Sequence, residues 1–117
     1  MSDIKRLHPG SRMSEGTIHN GTVYLAGQVA VSGAPDIKDQ VREVLASIDA
    51  LLAEAGSSKA RILRAQIFLV DLADFPALNE VWEAWVVPGA TPARATVQAR
   101  LAKPEWKVEI VVTAAVA

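Results

Sequence analysis

The sequence predicts an α+β two-layer sandwich, in which a mixed β-sheet carries two helices on one face and the whole of residues 1–117 forms a single domain. Three observations lead there. Strand and helix patterns follow the order hairpin, helix, strand, helix, strand, strand, which suits two layers closed around one core. Half of the 117 residues are hydrophobic and 21% are charged, enough for one core in a chain too short for two. The last strand is apolar on one face (Val108, Ile110, Val112, Ala114, Val116) and not markedly polar on the other (Val111, Thr113, Ala115). Two helices cover one side of a sheet, so the second face is predicted to be buried by self-association.

Taken in order, residues 1–15 form an edge strand or arm ending in a loop, with Pro9-Gly10-Ser11 marking the turn. Thr17 to Ala26 is a hairpin, because Asn20-Gly21 tolerates the positive φ angles of a two-residue turn. Gly27 beyond it permits a bulge or a close backbone approach to a ligand at the strand's end. Asp36 caps a long helix whose apolar face is Ile37, Val41, Val44, Leu45, Ile48, Leu51, Leu52 and Ala55, and Gly56 terminates it. Leu63 to Val70 is a strand with Leu63, Ala65, Ile67 and Leu69 on one face. Asp74 caps the second helix, Pro76 fits its first turn, Leu78, Val81, Trp82 and Trp85 share a face, and Pro88-Gly89 stops it. Ala93–Leu101 and Trp106–Val116 supply the last two strands.

Composition removes several functions. Twelve basic and thirteen acidic residues give a net charge of −1, so neither nucleic acid nor an anionic membrane is expected as a partner. Absence of cysteine removes disulfides, thiolate metal sites and a cysteine nucleophile. Met1 to Pro9 lacks the apolar core of a signal peptide, and no run of about 18 apolar residues occurs, so a soluble, cytoplasmic protein is expected. Two histidines without metal-ligand spacing make a metal site unexpected, and no dinucleotide, phosphate-loop or nucleophile-elbow motif is present.

Chemistry concentrates between Pro92 and Ile110. Arg94 enters a strand, where a planar guanidinium can hold a carboxylate through two parallel hydrogen bonds or serve as an ordinary strand arginine. Glu109 is the one charge in an apolar segment, and a carboxylate buried there needs a partner or a proton. Two roles stay open for it: general acid/base, or an ion pair with Arg94, Arg64 or Arg100. Trp82, Trp85 and Trp106 could line a pocket; the helical spacing of the first two favours core packing, and Trp106, beside a turn, reads as an interface or rim residue.

Pro92-Ala93-Arg94-Ala95-Thr96-Val97, Arg100-Leu101-Ala102 and Val108-Glu109-Ile110 together resemble the carboxy-terminal signature of the RidA/YjgF family of imine and enamine deaminases. Ala26-Gly27-Gln28, Ala55-Gly56, Asp71-Leu72 and Asn79-Glu80-Val81-Trp82 extend the resemblance over nearly the whole chain. It implies a chorismate-mutase-like fold and a homotrimer whose sheets form an inner barrel, with ligand clefts between subunits. It also implies hydrolysis of small 2-imino acids or enamines to 2-oxo acids and ammonia, without metal or organic cofactor. Arg94 would bind the substrate carboxylate and Glu109 position the attacking water, with Ala26, Gly27, Thr96, Met13 and Asn79 lining the cleft. Ala26 stands where active deaminases carry serine, Met13 where they carry tyrosine, and Thr96 where many carry cysteine; the pattern is that of a divergent branch. The alternative function is a non-catalytic or regulatory member that binds a small carboxylate metabolite.

Overall fold

The computed structural model describes residues 3–117, so Met1 and Ser2 of the expected amino-terminal arm lie outside the described residues. The elements are β1 (Lys5–Leu7), β2 (Gly16–His19), β3 (Thr22–Leu25), β4 (Gln28–Val29), α1 (Ile37–Glu54), β5 (Ile62–Leu69), α2 (Phe75–Trp85), β6 (Ala93–Gln98) and β7 (Val108–Ala115). They form one mixed sheet in the order β1-β2-β3-β7-β5-β6, with β4 also on β7. Among the described residues only β5 and β6 run parallel, and α2 supplies the crossover that a parallel pair requires.

Local chemistry explains the elements. Asn20 and Gly21 adopt φ of 51° and 76°, so the β2–β3 turn takes the conformation whose twist matches the strands. Helix α1 starts where the Asp36 carboxylate accepts from the Lys38 and Asp39 amides at 2.7 and 3.3 Å. It ends at Gly56, φ 80°, with Ser57 N–H donating to Leu52 O and Gly56 N–H to Ala53 O. Val41, Val44, Leu45, Ile48, Leu51 and Leu52 of α1 are buried together with Leu78, Val81 and Trp82 of α2 and the alternating Val108, Ile110, Val112 and Ala114 of β7. Among the described residues, no helix is long and apolar enough to cross a membrane.

Several boundaries differ from the expectation. Strand β5 begins at Ile62, and a register irregularity between Ile62 and Arg64 turns Leu63 outward, where it is exposed, while Ile62 takes the core position. Asp74 makes no side-chain cap; Asp71 instead accepts from Ala73 N at 2.9 Å and starts a 3-10 turn that leads into α2. Strand β6 stops at Gln98 rather than Leu101, and β7 starts at Val108 rather than Trp106, because the chain turns through Lys103–Trp106. The fully buried Gln40, absent from the expected core face, fastens that turn. Its amide donates to Ala34 O and Glu105 O at 2.7 and 2.8 Å and accepts from Lys107 N at 2.9 Å.

The helix-free face of the sheet carries Tyr24, Val29, Phe68, Val97, Glu109 and Val111, as the pairing registers require. Glu109 is therefore half-buried on an open face instead of sealed inside the sheet.

Candidate functional site

Arg94 and Thr96 lie beside Ala65 and Ile67 in the parallel register, and neighbours in such a pair share a face. Ala65 and Ile67 are buried under the helices, so Arg94 and Thr96 project to the helix side at the sheet's edge. There the guanidinium donates to Asn79 Oδ1 of α2 at 2.9 Å and lies over Trp82 and Phe75, 5.5 and 5.7 Å from their ring centroids. Asn79 engages one nitrogen and the rings hold the plane, leaving further N–H groups of the fork to receive a carboxylate. Asn79 and Trp82 are three residues apart on α2, a spacing already present in the sequence, and Trp82 is open to two readings, core packing and the lining of a pocket. It does both.

Glu109 belongs to a second cluster. Tyr24 pairs with Thr113 and Gln28 with Ile110, so four steps along β3–β4 oppose three along β7, and the extra residue is a bulge at Ala26–Gly27. A Cβ at Gly27 would sit 2.8 Å from the Glu109 carboxyl carbon and closer still to one of its oxygens. Of the two expectations at Gly27 the bulge is present, and the space expected for a ligand is taken by the carboxylate of this same chain. Gln28, which sequence reasoning left without a role, donates to Ala26 O at 3.1 Å and Glu15 Oε1 at 3.3 Å. Ala26 N–H donates to Glu15 O, and the exposed Met13 lies two residues earlier on that rim. On the open face, Glu109 lines a 230 Å³ pocket with Phe68, Arg100 and Leu101.

The sequence-predicted residues therefore form two groups: Arg94, Asn79 and Thr96 on the helix side, and Glu109, Gly27 and Ala26 around the bulge, with Met13 in the loop before Glu15. Arg94 aligns with Ala65 and Glu109 with Phe68, three residues along β5 and on opposite faces. The expected Arg94–Glu109 pair is not formed. Among the described residues, the ion pairs are His8–Glu54, Lys38–Glu80 and Arg42–Asp39, so the alternatives with Arg64 and Arg100 are not formed either.

A cavity of 470 Å³ between α1 and α2 is lined by neither Arg94 nor Glu109. Its polar groups are already engaged: Trp85 Nε1 donates to Asp49 at 2.9 Å, Lys59 lies over the indole, and Arg42 and Glu80 pair with Asp39 and Lys38. Among the described residues, no three His, Asp or Glu side chains gather as metal ligands.

The family model described as Endoribonuclease L-PSP matches residues 3–116. The chain belongs to the RidA/YjgF family. A RutC family protein of Haemophilus influenzae is 50% identical over 112 residues, covering 95% of this chain and 97% of its own length. The RutC family protein YoaB of Escherichia coli is 48% identical over 113 residues, 97% of this chain and 98% of that one. Among solved structures, NMB1025 of Neisseria meningitidis, a member of the YjgF family, superposes with a TM-score of 0.96 at 47% identity, over 98% of this chain and 96% of that one. The RidA/YjgF fold is thus shared essentially end to end, including the β3–β4 bulge segment and β6, which carry the two clusters.

Proposed function

We propose that this RidA/YjgF protein is a cofactor-free deaminase of small 2-imino acids and their enamine tautomers, acting at sites completed between subunits of a homotrimer. The separation of the two clusters carries the reading. One copy offers a carboxylate receptor around Arg94 and, on the other face of its sheet, a carboxylate held at a bulge. A heterologous contact between copies supplies each with what it lacks and would cover the half-apolar open face.

A protonated imine is already electrophilic, so the site has to orient the acid, place water and move protons. Arg94, steadied by Asn79, Trp82 and Phe75, would hold the substrate carboxylate. Glu109 would accept a proton as water oxygen bonds to the imine carbon, giving a carbinolamine. Transfer of that proton to nitrogen lets the C–N bond break with its electron pair leaving on ammonia. Loss of the hydroxyl proton completes the 2-oxo acid.

The test is release of 2-oxo acid from imines generated in solution. Arg94→Ala and Glu109→Ala should each lose most of the rate. Mixed subunits of the two variants should recover about a quarter of it, because one interface in four then combines an intact Arg94 with an intact Glu109. Equal rates with buffer, protein and variants would refute catalysis. Ala26 and Met13, which lack the hydroxyls of typical deaminases, favour a second reading in which the cleft only captures a small carboxylate. Thermal stabilisation by 2-oxo acids, lost in Arg94→Ala and unaccompanied by turnover, is its signature.

A further inference from the structure

Gln28 is not among the groups that would touch substrate, yet it holds the segment against which Glu109 rests. It pairs with the buried Ile110 and lines, with His8, Glu15, Ser47 and Glu54, a 450 Å³ cavity on the helix side of the sheet. Glu109 pairs with Val29, the next residue, on the open face, so the two side chains point away from each other.

Between them lies the bulge. A bulge interrupts the ladder, and here side chains take over the fastening. Gln28 Nε2 donates to Ala26 O at 3.1 Å and to Glu15 Oε1 at 3.3 Å, while Ala26 N donates to Glu15 O and Glu15 N to Leu7 O, both at 2.9 Å. Glu15 thus grips the bulge by backbone and side chain and ties it to β1. On the other side of the same segment, Gly27 leaves no room for a Cβ beside the Glu109 carboxylate. Whatever moves the bulge backbone moves the wall that this carboxylate lies against.

We infer that Gln28, clasped by Glu15, is a positioning residue: it fixes the bulge from the helix side and so sets where the Glu109 carboxylate stands on the open face. The inference rests on the deaminase reading above, in which Glu109 accepts a proton from water. What Gln28 contributes is donation. An apolar side chain would fill the same space, but the two N–H groups of the amide serve two oxygen acceptors at once.

The test is steady-state deamination of an imine generated in solution, with the intact protein. Gln28→Glu keeps the shape and removes the donors, so kcat should fall about tenfold or more, towards the roughly 10²-fold of a 1 Å misplacement, with KM within about twofold. The loss should shrink as pH falls, because the new carboxylate facing Glu15 takes up a proton and becomes an O–H donor; His8 and Glu54, the other titratable groups lining the cavity, are common to parent and variant. Gln28→Lys, whose ammonium donates to both oxygens and whose longer stem the cavity admits, should recover most of the rate. Glu15→Ala, in a loop outside the core, should lower kcat in the same direction and decides the matter if Gln28→Glu does not fold. Parental kcat in folded Gln28→Glu, or in Glu15→Ala where it stands in, overturns the inference. So does a Gln28→Glu loss that recurs undiminished in the Glu109→Ala background, since that marks a role in the fold alone. In those cases an active parent leaves the deaminase reading standing, whereas a parent that releases no 2-oxo acid ends both.

Discussion

Gly27→Ala isolates the geometry of Glu109 from the stability of the fold. Gly27 is not in the left-handed region, so alanine is not strained by its backbone. The added Cβ would lie 2.8 Å from the Glu109 carboxyl carbon and 3.1 Å from Cγ, where carbon atoms normally stay about 3.5–4.0 Å apart. The carboxylate must therefore withdraw by roughly 1 Å, and it can, being the end of a flexible side chain on an open face. An off-rotamer cost of about 0.5–1.5 kcal/mol is nearly offset by the 0.4–1 kcal/mol that alanine contributes by restricting the unfolded chain. Stability should barely change. Catalysis should, since misplacing a reacting group by about 1 Å costs on the order of 10²-fold. The assay is imine deamination alongside thermal melting, repeated in a Glu109→Ala background, where the substitution has no carboxylate to displace and should add nothing. A folded Gly27→Ala protein with parental rate would refute the argument, as would an equal further loss without Glu109.

Two further predictions concern the scaffold. Gln40→Leu leaves Ala34 O, Glu105 O and Lys107 N without their buried partner, and at about 1–3 kcal/mol for each unpaired group should cost roughly 3 kcal/mol or more, read as a lowered urea midpoint. His8, on the arm, is held above its ordinary value of 6.5 by its hydrogen bond to Glu54 and then by that carboxylate's charge. A raised folded-state value means that its contribution is full below pH 6.5 and is lost as pH rises through the higher folded value. Tm measured from about pH 6 to about pH 9 at low salt should therefore carry a small downward component that His8→Asn removes, and an unchanged profile would contradict it.

Much of the fold was legible because its signals are local. Asn20-Gly21, Asp36, Gly56 and the spacing of Val41 to Leu52 each specify a turn, a cap or a buried face within a few residues. The errors also have local causes: the irregularity that turns Leu63 outward has no signature in an alternating strand, and Asp74, read as the cap, makes no side-chain cap because the 3-10 turn capped by Asp71 precedes the helix. Gln40 reads as one more polar helix residue until the Lys103–Lys107 turn arrives beneath it. By itself the sequence singled out the two candidates for the chemistry, Arg94 and Glu109, since a guanidinium and a carboxylate in otherwise largely uncharged strands stand out in any register. Their relation was decided only by tertiary structure. Parallel pairing of β6 with β5 sends Arg94 towards α2, and antiparallel pairing of β7 with β5, together with the bulge at Ala26–Gly27, holds Glu109 on the opposite face. Strand register is a property of the assembled sheet, and a shift of one residue would have reversed either side chain.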